Sequence, residues 1–454
     1  MKELDLTQGS VPKVLLQFAV PFLIANVLQA LYGGADLFVV GQYDDSASVA
    51  AVAIGSQVMQ TITGIILGIT TGTTVLIAIA TGAKDNRKVA FTIGSSVWWF
   101  SITGVVLTLV MVLFHSRIAE LMHTPVEAMV DTKNYILVCS LGILFIVGYN
   151  VVCGILRGLG DSKTPLYFVG LACVINIVLD FILVGYFHWG AAGAAIATVS
   201  AQGVSFGIAL WFLYRHGFHF DFSRKDIRLN RNLSKKILVL GAPIALQDAL
   251  INVSFLIITV IVNQMGVIAS ASLGVVEKII VFAMLPPMAI SSAVATMTAQ
   301  NYGAGLIKRM NKCLASGIGI ALVFGVSVCV YSQFLPETLT AFFTKDAAVV
   351  AMAADYLRGY SIDCIVVSFV FCINSYFSGQ GNSLFPMIHS LIATFLFRIP
   401  LSYWFSQIDS SSLFIMGFAP PISTVVSLLI CIWYLRYTQR KLYLRGTMMP
   451  AMSN

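Results

Sequence analysis

Two aspartates stand alone in long apolar stretches, Asp36 in PFLIANVLQALYGGADLFVVGQY and Asp180 in VINIVLDFILVGY. Each lies six residues before the polar turn that closes its stretch, at Gln42 and at Tyr186. An ionised carboxylate in hydrocarbon is costly, so it is kept there when it faces a cavity and has a task. Two acids at matching depth therefore point to one shared polar pocket and to transport as its use. Asn176, four residues before Asp180, presents an amide on the same helix face. Thr198 lies seven residues into the sixth apolar stretch. At 1.5 Å per residue, Asp36, Asp180 and Thr198 all fall roughly 9–11 Å below one membrane surface. Carboxylate and hydroxyl oxygens at one depth suit Na⁺ coordination or a proton relay. No Lys or Arg falls within the apolar stretches of the first half, so an internal ion pair is not expected there.

The second half is arranged differently. Glu277 and Asp363 lie about eight or nine residues in from the outer surface, and Asp248 is deeper, beside Gln247 and one turn before Asn252. Lys278 and Arg398 are available as internal partners, so structural pairing competes with a second polar site formed by Asp248, Glu277, Asp363 and Arg398. Pro21 lies fifteen residues before Asp36 within one stretch. A proline frees the carbonyl four residues back, near Gln17, and is expected to kink the helix.

The elements that carry these residues are transmembrane helices. The chain of 454 residues is 58% hydrophobic and 10% charged, with a mean hydropathy of +0.88. A soluble domain is about 25% charged, so this composition specifies a polytopic membrane protein. Twelve apolar segments can be counted, near 14–40, 47–80, 89–113, 134–156, 165–186, 191–214, 237–262, 268–299, 313–335, 355–378, 386–407 and 412–436. Alternating patterns of strand type are absent, which favours helices over a β-barrel.

A net charge of +7 could suggest nucleic acid, but its distribution does not. Counting loops alternately from the N-terminus places 21 Lys and Arg on the first side and four on the other, Arg117, Lys133, Lys345 and Arg358. The positive-inside rule then puts both termini in the cytoplasm. The first apolar run is too long for a signal peptide, so none is expected. The eight cysteines lie in or beside spans without a CxxC pair, and read as small packing residues. Signatures for nucleotide hydrolysis, zinc proteolysis and serine hydrolysis are missing, so no enzyme, cofactor or ATP-driven pump is expected on this chain.

The chain also repeats itself across the basic stretch Arg215–Lys236, which reads as a solvated linker. Gly158-Leu-Gly-Asp-Ser-Lys-Thr-Pro165 matches Gly379-Gln-Gly-Asn-Ser-Leu-Phe-Pro386 at an offset of 221, as Gly82-Ala83 matches Gly303-Ala304. Pro21 matches Pro243 at 222. Six spans per repeat make the two halves parallel repeats, with a ligand site expected between or within them.

Several of these motifs carry a family likeness. Pro21 followed by Gly34-Ala-Asp36-Leu-Phe-Val-Val-Gly41 and Ser48-Val-Ala-Ala-Val52 resembles the first two spans of multidrug and toxic compound extrusion (MATE) transporters. So do Arg157-Gly-Leu-Gly-Asp-Ser-Lys-Thr-Pro165 and Gln300-Asn-Tyr-Gly-Ala-Gly305. The resemblance covers nearly the whole chain and is nearest to the prokaryotic DinF-like type. It implies twelve helices in two pseudo-symmetric six-helix lobes forming a V, with residues 1–220 as N-lobe, 221–236 as cytoplasmic linker and 237–454 as C-lobe. It implies a monomeric rocker-switch antiporter in a bacterial inner membrane, exporting cationic or amphiphilic compounds against Na⁺ or H⁺. Residue by residue, it maps a cation or proton site onto Asp36, Asn176, Asp180 and Thr198, with Asn150 the nearest candidate for a fourth-helix amide. Pro21 corresponds to a gating kink. A flippase of the same superfamily, carrying a lipid-linked sugar, is the rival, but five intramembrane acids against Lys278 and Arg398 disfavour an anionic cargo.

Overall fold

A hydrocarbon core of about 30 Å is crossed by roughly 20 apolar residues in a helix, the only open-chain form that satisfies its own backbone there. The computed structural model describes residues 4–408 and 412–448, and within them no strand occurs. Eleven helices are long and apolar enough to span: α1 Val11–Tyr43, α2 Ser46–Gly82, α3 Asn86–Leu121, then α5 Lys163–Tyr186, α6 Gly190–His216, α7 Arg231–Asn263, α8 Val267–Gly303, α9 Ile307–Phe334, α10 Ala347–Gly379, α11 Leu384–Ile408 and α12 Met416–Thr438. The twelfth span, α4, is a pair, Val126–Leu141 and Ile143–Leu159, bent by 48° at Gly142. The segment expected at 134–156 lies inside that bent pair.

Local chemistry sets the ends. Asp45 and Asp85 cap α2 and α3 by accepting from the amides of Ser48 and Lys88, each at 2.9 Å. Gly160, with φ +99°, takes the left-handed turn that ends α4. Two helices carry π-helical turns: Phe181–Tyr186 directly after Asp180 in α5, and Ala393–Arg398 in α11. Such turns cluster at functional sites. All eight cysteines are buried and unpaired, as packing residues should be.

The fold divides into two compact units. The first comprises residues 1–249, 292–313 and 379–383; the second comprises 250–291, 314–378 and 384–454. In the first, the motif glycines Gly82 and Gly303 meet back to back. A side chain on Gly82 would strike the carbonyl of Gln300, and one on Gly303 would strike that of Ile79. Residues 79 and 300 are separated by the same 221 positions as 82 and 303, so this contact is itself pseudo-symmetric. The N-terminal segment is strapped down beside it. Leu6 is fully buried, and its carbonyl accepts from Asn301 Nδ2 at 3.1 Å. The Arg309 guanidinium donates to the carbonyls of Gln8 at 2.5 Å and Gly9 at 2.6 Å.

Candidate functional site

Three helices of the first unit deliver the polar group. Asp36 comes from α1, Asn176 and Asp180 from one face of α5, and Thr198 from α6. Asp36, Asn176 and Asp180 are buried, and Thr198 is half-buried. Thr198 Oγ1 donates to Asp36 Oδ2 at 3.0 Å, and Asn176 Nδ2 reaches Thr198 Oγ1 at 3.5 Å. Asp36, Asn176 and Asp180 are close enough to interact electrostatically, without a direct hydrogen bond from Asp36 to either. Two carboxylates can bond each other only with a proton between them, or sit together with a cation between them.

The remaining oxygens lack donors. Asp36 Oδ1, Asn176 Oδ1 and both oxygens of Asp180 are buried without a hydrogen-bond partner. Buried polar atoms are nearly always paired, so four orphaned acceptors in one connected group call for a positive species. Among the described residues no base is ion-paired with either acid. The donor set is all oxygen with two carboxylates, which fits a monovalent hard cation or a proton rather than a soft metal. Among the described residues no group of three or more His, Cys, Asp or Glu is placed to hold a metal.

Asn150 is buried on α4, but its Nδ2 donates to the Ile146 carbonyl at 2.8 Å, and it makes no hydrogen bond to Asp36 or Asp180. Helix α1 runs unbroken through the buried Pro21. Two residues escaped the sequence reading. Tyr32 lies one turn before Asp36, Gln202 lies one turn after Thr198, and Gln202 Nε2 meets the Tyr32 hydroxyl at 3.5 Å. The i,i+4 spacing to Asp36 and Thr198 was the available signal.

The second unit holds a different group. Glu277 Oε1 accepts from Thr259 at 3.4 Å, and Asp363 is buried against Thr424 with Oδ1 unpartnered. Arg398 ends the π turn of α11 and stacks its guanidinium 4.3 Å from the centre of the Phe255 ring. It forms no ion pair with Glu277 or Asp363, and its Nε is buried without a partner. Asp248 is exposed on the part of α7 that belongs to the first unit, and Lys278 is exposed on α8.

A family model, MatE, matches residues 21–182 and again residues 243–404. The chain belongs to the MatE family. Its relatives include the probable multidrug resistance protein YpnP of Bacillus subtilis, 29% identical over 89% of this chain and 91% of that one. The multidrug export protein MepA of Staphylococcus aureus is 26% identical over 82% of each. The fold matches, with a TM-score of 0.90 and 23% identity over 97% of this chain and 98% of the other, a multidrug resistance MATE family transporter of the MOP superfamily in an outward-facing conformation.

The doubled match establishes the internal repeat, and the site breaks it. At an offset of 221 or 222, Asp36 falls opposite Ile257 or Ile258, and Asp180 opposite Leu401 or Ser402. Asn176 falls opposite Phe397 or Arg398. In this MatE chain the second repeat therefore has no acids where the first holds its carboxylate pair.

Proposed function

We propose that this MatE transporter is a secondary antiporter that exports drugs or toxic organic cations in exchange for Na⁺ or H⁺ by alternating access. The observation that carries the reading is the carboxylate pair: Asp36 and Asp180 are buried in one interacting group whose remaining oxygens lack donors. Asp36, Asp180, Asn176 and Thr198 hold the coupling cation or proton, with Asn150 of α4 a further candidate ligand. Relatives described as multidrug resistance and multidrug export proteins support the cargo class. Residues 1–220 and 237–454 act as the two lobes joined by 221–236, and the charge bias supports cytoplasmic termini.

The mechanism is thermodynamic linkage. A cation and a substrate that prefer different states, or compete for the same carboxylates, must exchange. Binding of the cation satisfies the orphaned oxygens and favours the state in which the pocket is closed around it. Pro21 supplies the bend that lets α1 follow. Glu277, Asp363 and Arg398 line a separate polar region of the second lobe, and the buried carboxyl of Asp363 favours cationic cargo there.

Dye efflux from proteoliposomes, driven separately by a Na⁺ gradient and by a pH gradient, tests this. Wild type should respond to at least one, while Asp36→Asn and Asp180→Asn should abolish efflux with the protein still inserted. Wild-type efflux by either variant would reject the mechanism.

A further inference from the structure

Two guanidiniums share one aromatic ring at an end of the first unit. Arg87 Cζ lies 5.6 Å from the centroid of Phe91, and Arg228 Cζ lies 5.3 Å from the same centroid. Arg87 and Phe91 occupy the first turns of α3, whereas Arg228 arrives on the segment that joins α6 to α7. That segment is firmly docked. Phe218, Phe220 and Phe222 pack against the first-unit core, and the rings of Phe218 and Phe220 stack at 5.1 Å. Gly94 of α3 touches the Asp226 backbone, and Ser95 Oγ donates to the Arg228 carbonyl at 3.4 Å. Backbone contacts thus hold two like charges against one ring.

Like charges repel, and a single ring attracts exposed cations only modestly. Two of the three local acids, Asp226 and Asp85, are taken up by local hydrogen bonds. Asp226 Oδ2 accepts from the Ser223 amide at 2.8 Å and its hydroxyl at 3.1 Å, and Asp85 caps α3. Among the described residues neither Arg87 nor Arg228 forms an ion pair. Residues 84–88 and 215–236 together hold ten Lys and Arg against three Asp. An anion is the missing partner. Beside Arg228, Ile227 is 38% exposed and Leu229 41%, which is apolar surface at the boundary between hydrocarbon and water. A basic site bordered by exposed aliphatic groups at the end of a span fits a lipid surface better than a soluble anion.

We propose that Arg87 and Arg228 clamp the phosphate of an anionic phospholipid headgroup, with Phe91 as the floor between them. Guanidiniums bind phosphate through paired N–H donors, which lysine cannot reproduce. The site goes beyond the transport reading and does not depend on it.

Native mass spectrometry of the full-length protein, titrated with phosphatidylglycerol and with phosphatidylcholine, tests the clamp. Arg87→Gln and Arg228→Gln should each weaken phosphatidylglycerol binding about fivefold, and together roughly 25-fold. Arg87→Lys with Arg228→Lys should also weaken it, as should Phe91→Leu, which leaves both charges in place. Phosphatidylcholine, whose choline cation competes for the same phosphate, should bind more weakly and lose less in these variants. Equal loss on Lys235→Gln with Lys236→Gln would overturn the proposal, because a diffuse basic surface would then explain the affinity. Unchanged binding in the arginine variants, or full displacement of the lipid by millimolar inorganic phosphate, would overturn it as well.

Discussion

Thr198 is the hinge of the first-unit site at the scale of single residues, because its hydroxyl donates to Asp36 and receives Asn176. Thr198→Val keeps the shape and removes both roles. A hydrogen bond to a charged group contributes about 1.5–3 kcal/mol, so apparent affinity for the coupling ion should fall roughly tenfold or more. Thr198→Ser should restore most of it. The concentration dependence of ion-driven efflux reads this directly, and an unchanged dependence in the valine variant would show that Thr198 lies outside the ion's coordination. Asp36, Asn176, Asp180 and Thr198 were legible in the sequence because single polar groups in apolar runs are conspicuous, and helical rise fixes their depth. Asn150 was not a product of that logic; it came from the family likeness, and depth alone says nothing about where its amide points. Its amide is consumed by the carbonyl one turn back, a local competition that spacing does not reveal. Tyr32 and Gln202 become visible only once Asp36 and Thr198 are known to face the same interior.

Among the helices, the tightest constraint is the contact of α2 with α8 at Gly82 and Gly303. A methyl group at either would meet a backbone carbonyl, which cannot rotate away as a side chain can. Gly82→Ala and Gly303→Ala should each destabilise the folded protein by about 1–3 kcal/mol, the usual cost of overpacking. Gly64→Ala on the same helix α2 meets nothing within 4 Å and serves as the control. Thermal unfolding in detergent should separate them, with Gly64→Ala near wild type; indistinguishable curves would show that the contact yields. Hydropathy located the twelve spans and the offset of 221 exposed the repeat, since both are written in residue type. The bend at Gly142 and the π turns after Asp180 and before Ile399 were not legible. Apolar runs such as FILVGY allow either helical geometry, and packing against neighbouring helices selects one. Arg398 was expected to be able to pair with acids, yet it lies on Phe255 instead, a choice set by tertiary distances.

For the whole molecule, the proposed mechanism asks how an ion bound near one end of α1 would change which side is open. Helix α1 begins next to a strap whose carbonyls are held by Asn301 and Arg309, passes through Pro21, and reaches Asp36 fifteen residues later. One end is anchored while the other carries the proposed ion ligand Asp36, so a compliant point between them would convert local binding into movement. Pro21 is the proposed point, because a proline there removes the bond to the Gln17 carbonyl. Pro21→Ala restores that bond without touching the ligands. Ion affinity, measured by calorimetry on purified protein, should stay within about twofold, whereas efflux should fall roughly 5–150-fold, the span of a typical coupling free energy of about 1–3 kcal/mol. A variant that transports normally would place the compliant point elsewhere. A variant that loses ion affinity in parallel with efflux would make Pro21 part of the site's own geometry, and α1 would then act as a rigid strut.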